Sequence, residues 1–273
     1  MWNNKVLKQK AKERMKVNYW KMVLVGLLLA LLSGGTASES GARNSVQNTT
    51  SDITNESQYY DDYDEDAFFS GGYDIDPDMM VDSLGFWGLF GGMMLGVVVV
   101  AVVIGICLVI FVFNPLEIGA RRFFYRNINE KAELKEVGFG FDRNYMGSVK
   151  TMFLRDLYTV LWTLLFIIPG IVKSYEYRMI PYLLAENPEM STDEAFAISK
   201  RMMYGNKLNA FWFDLTFIGW EILGAITFGI VNLFWVNPYY NQSAAMLYDA
   251  IKIDDYNRQS TNWQADNESN TTF

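Results

Sequence analysis

The chain has 273 residues, 51% of them hydrophobic and 16% aromatic, with 20% charged and a formal net charge of -8. It contains no histidine, which removes the usual general base near neutral pH and the commonest metal ligand. Its one cysteine, Cys107, can form neither an internal disulfide nor a thiolate metal cage, and is expected as a small packed apolar residue.

The charges are segregated along the chain, and that segregation sets the predicted topology. Lys5, Lys8, Lys10, Lys12, Arg14, Lys16 and Lys21 crowd the start, opposed only by Glu13. Leu7, Ala11 and Met15 recur among them at helical spacing, which predicts a basic cytoplasmic helix over 1–17 lying on the inner leaflet. A solvated basic tail is the other reading. A first crossing follows at 18–35, where Tyr19 and Trp20 form an aromatic interface anchor ahead of the apolar run Met22 to Leu32. The small residues after that run also describe a cleaved signal peptide, and both readings leave 36–83 outside.

Segment 36–83 has Arg43 as its only cation and is dense in Asp and Glu, which predicts a disordered acidic extracellular loop. Asp62-x-Asp64-x-Asp66 and Asp74-x-Asp76-x-Asp78 resemble the opening of a calcium loop, but neither continues with the required glycine and closing glutamate. Asn48-Thr-Thr and Asn55-Glu-Ser are glycosylation acceptor sequences.

Residues 84–113 carry no charge and exceed the roughly 20 apolar residues that span a bilayer core. Gly88, Gly92 and Gly96 form overlapping GxxxG steps in this run, a close-packing face for a second copy or for another helix of the same chain.

The basic segment 114–150 belongs in the cytoplasm by the positive-inside rule. Segment 151–187 then goes out and comes back. Pro169-Gly170 breaks it, and 171–187 must return if Lys200, Arg201 and Lys207 are to lie inside. Lys173 and Glu176 stand three apart and can pair on one helix face.

Segment 188–207 is cytoplasmic. Ser191-Thr-Asp-Glu194 reads as a capping box opening an amphipathic helix over 191–205, which docks on the bundle or on a protein partner. Segment 208–248 holds only Asp214 and Glu221 as charges and is too long for one span, so helices at 208–225 and 228–250 are predicted, turning near Gly224 and Gly229. A polar cytoplasmic tail, 251–273, ends the chain.

An internal repeat supports this count. Asp156-Leu157, Trp162 and Leu165 match Asp214-Leu215, Trp220 and Leu223 at identical spacing, and Asn114-Pro115 matches Asn237-Pro238. Pro115, Pro181 and Pro238 fall in the three returning helices, while Asn18, Asn144 and Asn206 precede the three outgoing ones. The predicted fold is therefore all-α, a polytopic membrane bundle of about six transmembrane helices in three hairpins, with a membrane bundle at 84–250 and both termini cytoplasmic.

Asp156, Lys173, Glu176, Arg178, Asp214 and Glu221 form the candidate intramembrane polar cluster, since ionisable groups at membrane depth mark function by default. Holding the inner helix ends together is the structural alternative. No catalytic triad, phosphate loop or metal-ligand cluster is found, so no cofactor and no enzymatic activity are expected.

NYWKMVLVGLLLALLSGG (18–35), NPLEIGARRFF (114–124), TMFLRDLYTVLWTLLFIIPGIVKSYEYRMIPYLLAENPEMS (151–191) and DLTFIGW (214–220) resemble a bacterial family of polytopic membrane proteins of unknown function. More distantly, the PG, charged helix and ENP pattern is similar to the membrane domain attached to some glycerophosphodiester phosphodiesterases. The resemblance implies a plasma-membrane location and supplies no catalytic residues. The expected function is an accessory or scaffold protein of the cell envelope. The alternative is a small-solute or lipid carrier using the intramembrane charges. Expected partners are membrane lipids, a protein at 191–205 and a second copy of the chain, with no nucleic acid.

Overall fold

The computed structural model describes residues 2–32 and 77–270. The acidic loop, apart from 77–83, and the small-residue stretch after the first apolar run therefore lie outside the described residues. The described chain is all-helical, without strands. It divides into two units, Met1–Ala37 with Leu108–Phe273, and Ser38–Cys107.

The described part of the second unit is a helix, α2 (Pro77–Leu108 in full). Its residues from Gly91 to Cys107 are exposed along their whole length. A methyl group added at Gly92 or Gly96 would meet no atom within 4 Å, so the face these two glycines form with Gly88 is open there. Cys107, expected as a packed core residue, is likewise exposed, because that stretch of α2 carries its apolar side chains outward all round.

The first unit opens with α1 (Asn4–Leu32), which is kinked at Asn18, where φ is -135° and ψ is 32°. The stripe Leu7, Ala11 and Met15 does not face a lipid leaflet. All three are buried against the body of the protein, while of the lysines between them Lys10 and Lys12 are exposed and Lys8 is half-buried beside Phe217.

After a π-helical turn (Val109–Phe113) come α3 (Asn114–Arg126), a 3-10 turn (Leu134–Phe141), α4 (Tyr145–Leu165) and α5 (Ile167–Glu176). Then follow α6 (Ile180–Glu186), α7 (Thr192–Met203), α8 (Lys207–Leu215) and α9 (Ile218–Ile226). A second π-helical turn (Asn232–Val236) leads into α10 (Asn237–Asn270).

The three prolines share a local device. Pro115 and Pro238 each occupy the second position of their helix, directly after a π-helical turn. In those turns the Asn114 amide donates to Val109 O and the Asn237 amide to Asn232 O, one residue further back than an α-helix allows. A proline removes one amide and crowds the carbonyl four residues before it, and the wider turn absorbs both effects. Pro181 occupies the same position in α6, after the turn Tyr177–Met179. The returning helix expected as one piece over 171–187 is thus two helices, α5 and α6.

Neither Asn144 nor Asn206 caps the helix it precedes with its side chain, and Asn18 lies inside α1. They act as clasps. Asn144, at φ 45°, donates its amide to Pro188 O at 2.8 Å and closes the base of the α4–α6 excursion. Asn206 donates to Met202 O at 2.9 Å.

Packing differs sharply between the two ends of these excursions. Toward the base the interior is conventional: Met152, Tyr177, Ile180, Leu184, Ala195 and Phe196 form one cluster, and Phe123, Phe124, Phe213, Tyr248 and Ile251 belong to another. The serine half of the expected capping box forms, with Ser191 Oγ accepting from the Glu194 amide at 3.3 Å, and Ala195, Phe196, Met202 and Met203 of α7 are buried inside the chain. Toward the tips the polarity inverts. Leu164, Leu165, Phe166, Ile167 and Ile168 are all exposed, as are Ile222, Leu223, Ile226 and Ile230, and Phe228 reaches 97% exposure.

Close backbone crossing fixes the base. A Cβ on Gly119 would overlap the Val137 carbonyl, and one on Gly140 the Pro115 carbonyl. Gly119→Ala should therefore destabilise the protein by about 2 kcal/mol through overpacking. Gly138→Ala, whose methyl would enter open space, should leave it unchanged. Thermal unfolding of the purified full-length variants checks both.

Candidate functional site: a polar layer between core and apolar tips

Between the conventional core and the apolar tips lies a layer of charged and amide side chains. The expected cluster does not meet at one point. It resolves into four groups, each satisfied by residues from other parts of the chain or by its near neighbours.

The first group joins α3 to α4. Arg155 donates to Asp156 Oδ1 at 2.6 Å and to Glu117 Oε2 at 3.0 Å. Arg121 donates to Glu117 Oε1 at 3.3 Å and, with its other terminal nitrogen, to Asn241 Oδ1 of α10 at 2.9 Å. Burial alone would raise the Glu117 carboxyl, but Arg155 and Arg121 outweigh it and hold it below the ordinary carboxylate value.

The second group is a shared carboxylate. Lys173 Nζ donates to Glu176 Oε1 at 3.0 Å, as the spacing of three predicts. Lys207 at the start of α8 donates to Glu176 Oε2 at 2.7 Å.

The third group is the most connected. Arg178 grips Asp214 with two bonds, Nη1 to Oδ2 at 2.7 Å and Nη2 to Oδ1 at 2.9 Å. Tyr175 donates to Asp214 Oδ2 at 2.7 Å and Tyr240 to Asp214 Oδ1 at 3.1 Å. One carboxylate so ties the α5–α6 turn to α8 and α10. A bidentate arginine pair with two further hydroxyl donors leaves little of the carboxylate unsatisfied. The fourth group is Glu221 of α9, which accepts from Asn232 Nδ2 at 3.0 Å.

Two further links were not foreseen from sequence. Asn18 at the α1 kink donates to Asn127 Oδ1 at 2.9 Å, Asn127 to Gln242 Oε1 at 2.9 Å, and Gln242 to Phe124 O at 3.2 Å. This buried amide chain joins α1, the end of α3 and α10. Below it, Arg122 and Arg126 both engage Glu136, at 2.7 and 3.1 Å, and Arg122 also donates to Ala185 O. The only foreseeable signals were the asparagines before each outgoing helix and the arginines of NPLEIGARRFF. Their partners lie far away in sequence.

Chemically the layer consumes its own charges. Each of Glu117, Asp156, Glu176 and Asp214 is held by a cation within 3.3 Å. Among the described residues no group of three His, Cys, Asp or Glu side chains could hold a metal ion.

Asp214→Ala would leave the Arg178 guanidinium without its partner and should cost about 3–5 kcal/mol, whereas Arg178→Met with Asp214→Leu together should recover most of that loss. Unfolding in denaturant, followed by tryptophan fluorescence, reads both. Glu117 gives a pH signature. Its lowered folded value means that its contribution is complete above the ordinary carboxylate value and is lost as pH falls through the lowered one. In Glu117→Gln that part of the acid destabilisation should vanish from a stability-against-pH series.

No curated protein and no solved structure matches the chain. One family does match, over residues 1–255, and its description is "protein of unknown function (DUF975)". With nearly the whole length covered, the chain belongs to the DUF975 family.

Proposed function

We propose that this is a multi-pass integral protein of the plasma membrane, with both termini cytoplasmic, acting as a non-enzymatic accessory or scaffold of the cell envelope. One observation carries the membrane reading. Two helical stretches, Asn4–Leu32 and Gly91–Arg126, are long and apolar enough to cross a bilayer, and none of the most apolar window of the second is buried inside the chain. The core helix of a soluble protein would be covered, and this one is bare. Exposed apolar area of that size is stable in lipid and a liability in water.

The exposed tips extend the argument. In this reading six apolar limbs are embedded: α1 and α2, α4 and α5, and α9 with the stretch returning through the second π-helical turn. Lys5, Lys8, Lys10 and Lys12 stay on the cytoplasmic side with Lys200, Arg201 and Lys207.

The scaffold reading is supported by how the polar layer uses its charges. Carboxylates already bound by arginine, lysine and tyrosine hold helices together, and a carrier would need some of them free to change partners. A protein partner at α7 would meet its outer face, Asp193, Glu194, Ala197, Lys200 and Arg201, since the apolar stripe is occupied.

Alkaline carbonate washing of membranes should leave the protein in the pellet, and an impermeant amine reagent applied to intact cells should spare Lys200 and Lys207. Release into the supernatant would end the membrane reading. Labelling of either lysine from outside would end the topology. Affinity capture in mild detergent should return a reproducible partner, lost when Glu194 and Lys200 are both replaced by Ala.

A further inference from the structure

The α9 hairpin raises a question of depth. Lys8 of α1 donates to Thr216 O at 3.3 Å and sits 3.9 Å from the Phe217 ring centroid, at the foot of the outgoing limb. Lys12 lies 5.6 Å from the ring centroid of Tyr239, at the foot of the returning limb. Two ammonium groups from one basic helix therefore flank both limbs at their bases, and both belong in water or among lipid headgroups.

Above those lysines little length remains. Helix α9 has nine residues, which rise about 14 Å at 1.5 Å per residue, against a bilayer core of about 30 Å. The return from Phe228 to Tyr239 rises only about 16 Å on the same geometry.

The tip is built for a place without water. The Phe228 amide donates to Ala225 O at 3.3 Å, Gly229 to Gly224 O at 2.8 Å and Ile230 to Thr227 O at 3.1 Å. The Val231 amide finds the Thr227 hydroxyl at 3.4 Å. Every amide from Thr227 to Val231 is thus bonded within the turn or to the helix before it, which lowers the cost of taking this stretch of backbone out of water. Phe228 holds φ at 53°, in the left-handed region that a bulky residue avoids, with 97% of its surface exposed. Asn232 Nδ2 donates to Glu221 Oε2 across the two limbs at 3.0 Å, giving the carboxylate a partner away from water.

We infer that the α9 hairpin is a half-depth wedge: it enters the bilayer from the cytoplasmic face bearing Lys8 and Lys12, buries Phe228 among the acyl chains near the midplane, and leaves by the same face. The inference rests on the membrane reading above and revises its crossings, since this hairpin is embedded without traversing. The α4–α5 hairpin has the same proportions. Asp156 and Lys173 mark its feet, Leu157 to Val172 make up its apolar part, and Pro169 removes one amide from its tip.

The test places single cysteines in the full-length protein carrying Cys107→Ser. Phe228→Cys reports the tip, Lys200→Cys the inner face and Ser51→Cys the outer loop. Phe228→Cys should react with an impermeant maleimide at least about tenfold more slowly than either control, in intact cells and in inverted vesicles, because its thiol is about 15 Å from water. A bimane attached there in brominated phosphatidylcholine vesicles should be quenched most by bromines deep in the acyl chain. Labelling from outside at the Ser51→Cys rate would overturn the wedge and restore a full crossing. Labelling from inside at the Lys200→Cys rate would place the tip in the cytoplasm and overturn it too. If Ser51→Cys itself fails to label from outside, the topology falls first, and the two failures are told apart. Ile226→Cys, 70% exposed, reads the same depth should Phe228→Cys not accumulate.

Discussion

The structure depends on one constraint: charge on a helix that adjoins apolar surroundings must find a partner, a counter-charge for Glu117, Asp156, Glu176 and Asp214 and an amide for Glu221. The Arg178–Asp214 pair meets it most completely, with Tyr175 and Tyr240 supplying the remaining donors. Its four side chains come from three separate stretches of chain, so forming the pair also brings those stretches into register. Glu117 does the same for α3, α4 and, through Arg121, α10. Buried ion pairs contribute little net stability over apolar packing, yet breaking one is costly, which makes them better guides to arrangement than to strength. The layer therefore sets which helices are neighbours, and the apolar clusters beneath it supply most of the cohesion.

Local features were legible in the sequence. The Ser191 cap of α7, the Lys173–Glu176 pair and the placement of Pro115, Pro181 and Pro238 all depend on residues within a few positions of each other. Partnerships across the fold were hidden. Sequence spacing pairs Glu176 with Lys173, but its closer bond goes to Lys207, and it puts Arg178 and Asp214 in one cluster without pairing them. Such pairs join residues more than 30 positions apart, and periodicity carries no trace of them. The π-helical turns were also invisible, because a sequence shows a proline but not how the preceding turn accommodates it.

Two expectations failed for a common reason. The stripe of Leu7, Ala11 and Met15 was assigned to lipid, and Cys107 to a protein interior. The structure exchanges them. An apolar residue gains from leaving water whether it meets lipid or protein, so hydropathy does not say which it will meet. The neighbouring charges decide it: the lysines of α1 need water on one side and leave the stripe to the protein, while the uncharged stretch of α2 has no such preference. Crossing counts follow the same rule, since a run of apolar residues fixes how much chain avoids water and not how deep it goes.

Hairpins that return by the face they entered have a mechanical consequence. In the wedge reading they add cross-section to one monolayer and none to the other, so each inserted copy would widen the inner leaflet relative to its partner. A bilayer relieves that mismatch by bending, and gathering many copies would concentrate the bend. On the same reading Phe228, at the end of the α9 hairpin, would set how far up the lipid that added area reaches.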